Sequence, residues 1–291
     1  MRSVVAILLL SCFGKMLQAQ DMPLSQILIP GEGWKVRKNL SSSAIRCIAS
    51  NSRGDVHAVF GDGMATWVVK EQAIYNSAFN QAGVTSIAVG PDKEVFSCQP
   101  NNKQILVGMG IDRKAIVPNE PTVDCVVLHD GGLYCAVPSK GKILYLNPKQ
   151  KKITALQGNR AFAHLVLWPN QGTLVAAPAQ GSHLFAFRID EKGKLVDGEK
   201  YYALRTTNRK KTTRIGGMTV DSVGRLYVAT GEGVQVFDTT GRLSGVLPMP
   251  ENAVPLDVAF GGKSLDLLFV ATKERLYYRK TKAKRPIAKK K

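Results

Sequence analysis

The sequence predicts an all-β fold, a six-bladed β-propeller. Three observations point to it. A strand–turn–strand unit recurs at 45–60, 84–98, 123–137, 163–177, 216–230 and 255–272, with unit starts 39, 39, 40, 53 and 39 residues apart. Each unit joins an apolar strand to a second strand of β-formers through a turn rich in Gly, Asp, Asn or Pro. Four units are followed by a further strand: ILYLNP, HLFAFRID, VQVFDTTG and RLYYRK. A period near forty with up to four strands per unit is a propeller signature. Such blades bury their faces against their neighbours, and closing the ring removes most exposed edges.

The elements follow in chain order. Residues 1–19 have the parts of a secretory signal peptide. Arg2 gives a positive start, Val4 to Cys12 is an apolar run, and Leu17-Gln18-Ala19 is a small-residue cleavage site. The run is too short to span a bilayer. Export to the periplasm or medium is the expectation. Leu9-Leu10-Ser11-Cys12 offers an alternative, a lipobox that would anchor the chain at Cys12. Segment 20–43 contains SQILIPGEGWKV, expected to supply an outer strand that closes the ring. The propeller is expected over 44–279. The long interval contains 191–214, read as a polar connection with a basic end. Residues 280–291 have no apolar pattern and read as a disordered basic tail.

The chain of 291 residues is 44% apolar, enough for one β domain with a core. Its formal charge is +18, and removing Arg2 and Lys15 and no acid leaves +16. A strongly basic exported protein is expected to meet an anionic small molecule or a cell-envelope component. Nucleic acid is a poor fit, because export removes it and no aromatics interleave with the basic residues for base stacking. No later segment is apolar enough to cross a membrane, and a monomer is expected. Four cysteines follow the signal segment: Cys47, Cys98, Cys125 and Cys135. Cys125 and Cys135 lie on two arms of one predicted hairpin. Burial as small hydrophobes is favoured over disulfides. No Cys/His spacing suggests zinc. No nucleophile elbow, P-loop or dinucleotide fingerprint is present, and GDGMAT (61–66) and GEGVQV (231–236) read as hairpin turns.

GGMTVDSVGRLYVATGEGVQVFDTTGRLSGVLPMP and PLDVAFGGKSLDLLFVAT resemble the last two blades of the gluconolactonase / senescence marker protein family. FAHLVLWPNQGTLVAAPAQGSHLFAFRID resembles the blade before them. The resemblance spans roughly 44–279 and is strongest in the C-terminal half. It implies six blades, a divalent cation (usually calcium) on the axis, and lactone hydrolysis beside it. The family's ligands are one Glu, two Asn and one Asp, each at the start of an innermost strand. Carried over residue by residue, the Glu position holds Arg46, and the segment 37–54 contains no Glu. The first Asn position holds Val123, followed by Asp124. The second falls on His164, in Ala163-His164-Leu165. The Asp falls on Gly216, in Ile215-Gly216-Gly217-Met218. The second-blade equivalent is Thr85.

Arg46, Val123, His164 and Gly216 carry no side-chain oxygen, whereas calcium seeks about six to eight oxygen ligands. No metal ligand and no catalytic residue is therefore assigned. The expected pocket lining is Arg46, Thr85, Val123, Asp124, His164, Gly216 and Asp257. Arg46 could bind an anion or pair with Asp124 or Asp257. His164 is read as channel lining rather than a base. Arg205, Arg209, Lys210, Lys211 and Arg214 crowd the loop entering the fifth blade and are candidates for steering anions. The sequence thus favours a binding propeller without cofactor. The alternative is a lactone hydrolase using calcium or another divalent cation at a displaced site, with Asp257 the best acidic candidate.

Overall fold

The computed structural model describes residues 23–37, 44–61, 63–71, 73–77, 82–109, 113–147, 152–157, 160–207 and 211–287. The expected signal peptide at 1–19, with Cys12, lies outside the described residues, as do Arg209 and Lys210. Six antiparallel sheets surround an axis. From the axis outward, blade 1 comprises Ile45–Ser50, Val56–Phe60, Gly63–Val68 and Ala73–Ser77. Blade 2 comprises Ser86–Val89, Val95–Gln99, Gln104–Val107 and Lys114–Ile116. Blade 3 comprises Asp124–Val127, Leu133–Val137, Lys142–Asn147 and Lys152–Gln157. Blade 4 comprises Phe162–Leu167, Thr173–Pro178, His183–Ile189 and Leu195–Ala203. Blade 5 comprises Thr213–Val220, Leu226–Thr230, Gly233–Phe237 and Leu243–Leu247, and Gln180–Gly181 pairs with the start of its innermost strand.

Blade 6 closes the ring from both ends of the chain. Asp257–Gly261, Leu267–Ala271 and Leu276–Lys280 form its inner three strands. Lys35–Arg37 adds the outermost, with Val36 opposite Tyr277. This is the strand that SQILIPGEGWKV was expected to provide. Ile27, fully buried, and the Trp34 indole, bonded to the Pro248 carbonyl at 2.8 Å, fix the approach to it. The core lies in the six seams between blades. One apolar cluster fills each seam, as with Tyr227 and Val236 of blade 5 against Phe260 and Val270 of blade 6. The second strands Val95–Gln99, Leu133–Val137 and Leu226–Thr230 are buried along their whole length, which explains their near-continuous apolar runs.

Two segments differ from their sequence reading. Within 191–214, Leu195–Ala203 is a nine-residue outer strand of blade 4, not a connection. Five of its residues from Glu199's neighbourhood are exposed while Leu195 and Tyr202 are buried. An outermost strand anchored at its ends can carry a polar middle that hides it from apolar-pattern reading. Residues 280–287, placed in a disordered tail, are built into the fold. Thr281 bridges Leu28, and Ala283 is 2% exposed among the residues between blades 5 and 6. Residues 288–291 lie outside the described residues.

Gly54 shows how tightly the innermost hairpins meet. Its φ is +88°, and a Cβ there would stand 2.1 Å from the Gly262 carbonyl oxygen. Gly262 N–H in turn donates to the Gly54 carbonyl at 2.9 Å. Gly31 has a similar φ of +79° but open space around it. Gly54→Ala is therefore expected to destabilise by about 3 kcal/mol, from strain plus a displaced backbone. Gly31→Ala should cost about 1 kcal/mol, from conformation alone. Urea denaturation of both variants checks this, and equal losses would contradict it.

Candidate functional site

The starts of the innermost strands converge on the axis and enclose a cavity of about 410 Å³. Three of these strands, in blades 1, 4 and 5, shift register there, between Ile45 and Cys47, Phe162 and His164, and Ile215 and Met218. Such bulges bend the strand and re-aim its side chains. They place Arg46, Ala163 and Gly217 on the cavity wall.

The innermost strands hold one another by polar contacts across the seams. From blade 2 to blade 3, the Thr85 hydroxyl donates to the Val123 carbonyl at 2.7 Å, and the Ser86 hydroxyl donates to Asp124 Oδ1 at 2.5 Å. From blade 3 to blade 4, Asp124 Oδ2 accepts from the Leu165 N–H at 2.7 Å, while Oδ1 also accepts from Cys125 N–H. From blade 5 to blade 6, Gly217 N–H donates to the Leu256 carbonyl at 2.9 Å. From blade 6 to blade 1, Asp257 Oδ2 accepts from Ile48 N–H at 2.8 Å, and its Oδ1 accepts from Val258 N–H at 2.8 Å. The His164 imidazole faces the Ile215 backbone, which favours its protonated form and links blades 4 and 5.

Burial dominates the protonation of these groups. It pushes Asp257 up to about 7, helped by the charge of Asp124 and opposed by the two N–H donors. It also raises Asp124, against the stabilising effects of His164, Ser86 and the backbone donors. His164 moves down, chiefly by burial and further by Arg214, although Asp124 pulls it up. Both members of the Asp124–His164 pair are thus biased toward their neutral forms.

Arg46 and Arg214 are exposed at the same end of the cavity, Arg46 lining it and Arg214 close enough to act on His164. Arg205 and Lys211 are exposed outside the cavity lining, with the Arg205 backbone clasped by the Gln235 side chain at 2.7–2.8 Å. The four cysteines are buried free thiols. Cys125 faces Cys135 in the ladder, and burial lifts Cys47 and Cys135 well above the usual thiol range.

The family model described as SMP-30/Gluconolactonase/LRE-like region matches residues 141–274. A gluconolactonase of Xanthomonas campestris is 17% identical, over 89% of this chain and 92% of that one, with a TM-score of 0.73. The chain is a six-bladed propeller that shares its fold with that protein and matches the family model over 141–274. A luciferin-regenerating enzyme is 15% identical, over 88% of this chain and 97% of that one, with a TM-score of 0.71. The calcium-binding protein regucalcin of Agrobacterium tumefaciens is 13% identical, over 89% and 98%, with a TM-score of 0.66. No curated protein matches the chain in sequence. Among the described residues, no helix is long and apolar enough to cross a membrane.

Six of the seven expected lining residues reach the axial cavity: Arg46, Thr85, Val123, Asp124, His164 and Asp257. Gly216 does not. It lies behind the wall, where a Cβ would stand 2.1 Å from the Leu256 carbonyl oxygen, and Gly217 takes the lining place. The bulge between Ile215 and Met218 causes that offset, and matching the family's motif back from Met218 cannot register it. Sequence reading also missed Ser86 and Arg285, both on the cavity wall. Ser86 had a signal, since it follows Thr85 on the same strand. Arg285 had none within a run of basic residues.

Asp257 gives a pH signature. Its folded value near 7 lies above about 3.9 for an unfolded aspartate. The folded protein holds a proton that the unfolded chain has released, so this group's contribution is present at low pH and is lost as pH rises through 7. His164 and His57, both lowered by burial, act in the opposite sense at lower pH. Between about pH 4 and 7, the window bounded by those two values, the wild-type denaturation midpoint is expected to fall relative to that of Asp257→Asn and to level off above it. Parallel pH profiles for the two proteins would contradict the assignment.

Proposed function

We propose that this gluconolactonase-like propeller is an exported binding protein that takes a small anionic molecule into its axial cavity without a divalent cation. The carrying observation is how the axial carboxylates are used. Every carboxylate oxygen of Asp124 and Asp257 already accepts a hydrogen bond, four of the five donors being backbone N–H groups. Asp257 near pH 7 is also only partly charged. Calcium needs about six to eight oxygens and full carboxylate charge. The positions where the family's ligands would fall offer a guanidinium at Arg46, apolar Val123, an imidazole at His164 and a glycine at 217, and the wall hydroxyls of Ser50, Thr85 and Ser86 already donate to Phe260, Val123 and Asp124. A cation does not fit that set. An anion does, because Arg46 and Arg214 stand at the mouth and the chain's +18 formal charge draws anions toward it.

The family match supports a second reading, lactone hydrolysis. Asp257 is the observation that favours it, since a carboxyl group tuned near 7 beside a cavity suits general acid–base work. One set of assays separates the two. Citrate titrated calorimetrically is expected to bind, and the double variant Arg46→Glu, Arg214→Glu should weaken it tenfold or more. Gluconolactone should disappear at the uncatalysed rate, with or without added calcium. Calcium-dependent hydrolysis abolished by Asp257→Asn would overturn the binding reading.

A further inference from the structure

The far end of the axial cavity is closed by the chain's own C-terminal segment. After Lys280 the backbone runs across the hairpin ends of blades 6 and 5 toward the axis. Thr281 N–H donates to Asp266, Lys282 N–H to Ile27, and Arg285 N–H to Leu265, while the Lys284 carbonyl accepts from Ser222 N–H, all at 2.7–2.9 Å. Thr281 and Ala283 are buried along this path. Four of the five positions from Thr281 to Arg285 are therefore pinned by backbone bonds where the side chain of Arg285 turns into the channel. There its Nη2 donates to the Ser50 carbonyl at 3.1 Å. Ser50 ends the innermost strand that begins beside Arg46, so Arg285 lies about 13 Å below the mouth at the rise of an extended strand.

Arg285 forms part of two walls. It lines the axial cavity, and it also lines a far-face cavity of about 990 Å³ between the inner hairpins of blades 2, 3 and 4. Val89 and Val127 line both as well, so the guanidinium sits on an apolar collar between the two spaces. Its hydrogen-bond partner is a neutral carbonyl, and among the described residues it forms no ion pair. Burial alone moves it, down to about 10, with no neighbouring charge contributing. A guanidinium has five N–H donors in a planar fork. One of them is committed to Ser50. A mostly buried cation without a counter-ion is costly, and an anion on its free edge would offset that cost.

We propose that Arg285 is the anion anchor of the axial cavity, receiving the carboxylate of a small, elongated organic monoacid whose apolar body fills the channel. This deepens the anion-binding reading and rests on it. The single guanidinium matches one planar carboxylate in a two-point contact. The valine collar, with no second cation on it, disfavours a dianion such as phosphate. Arg46 and Arg214 attract the acid at the mouth, and Arg285 holds it at the floor.

Hexanoate is the probe, titrated calorimetrically into the full chain, with inorganic phosphate and citrate as comparisons. Saturable hexanoate binding is expected, weakened tenfold or more in Arg285→Gln, partly restored in Arg285→Lys, and changed less than threefold in Arg188→Gln, an exposed residue of blade 4 outside the cavity. Hexanoate binding unchanged in Arg285→Gln would overturn the anchor. Binding of citrate or phosphate without hexanoate would also overturn it while leaving the anion-binding reading in place. No binding of any of the three would overturn both. If Arg285→Gln fails to fold, the wild-type Arg285 side-chain Nε–H resonance decides. It moves with added hexanoate under the proposal, and a static signal refutes it.

Discussion

The ring depends on what the backbone at the starts of the innermost strands bonds to. Each of these strands has a ladder partner on its outer side only, except that the first two residues of Thr213–Val220 also pair with Gln180–Gly181. Its other edge faces the axis and the neighbouring blade, where unpaired N–H and C=O groups would be buried at a cost. Asp124 and Asp257 solve this for two seams by accepting Leu165 and Ile48 N–H groups from the next blade. Thr85, Ser86 and the backbone of Gly217 serve two others. The axial carboxylates are thus clasps before they are anything else. Their short bonds to the next blade hold the inner strands in register while the six apolar clusters supply the bulk of the stabilisation.

That arrangement sets the chemistry open to the cavity. A carboxylate that accepts buried N–H bonds has a fixed orientation and little freedom to converge on a shared ion. Burial draws Asp257, Asp124 and His164 toward neutrality, although Asp124 and His164 each favour the other's charged form. The formal charges left facing ligand are then guanidinium groups, at the mouth and at the floor. Under the proposed reading that space favours anions at its two ends, with apolar walls such as Leu165, Val127 and Val258 between.

The propeller was legible because its signals are periodic. Tight hairpin turns recur near every forty residues, and wholly buried second strands such as Leu133–Val137 read as apolar runs. Leu195–Ala203 was not legible, since an outer strand with a solvated middle lacks both period and run. At the site, Arg46, Thr85, Asp124, His164 and Asp257 were found because strand starts in a propeller must face the axis. Gly216 was misplaced by one residue because a bulge shifts register without marking the sequence. Arg285 was hidden for a different reason. Its position depends on backbone bonds to Ile27, Ser222 and Leu265, residues far away in the chain, and a run of lysines gives no hint of them.

The account stands or falls on whether the axis holds a cation. The most direct measurement is a calorimetric calcium titration of the purified protein, stripped with chelator and checked by elemental analysis. The account predicts no stoichiometric binding and no metal retained after purification. One calcium bound per chain at submillimolar affinity, lost in Asp124→Asn or Asp257→Asn, would show that the clasps are ligands and would contradict it.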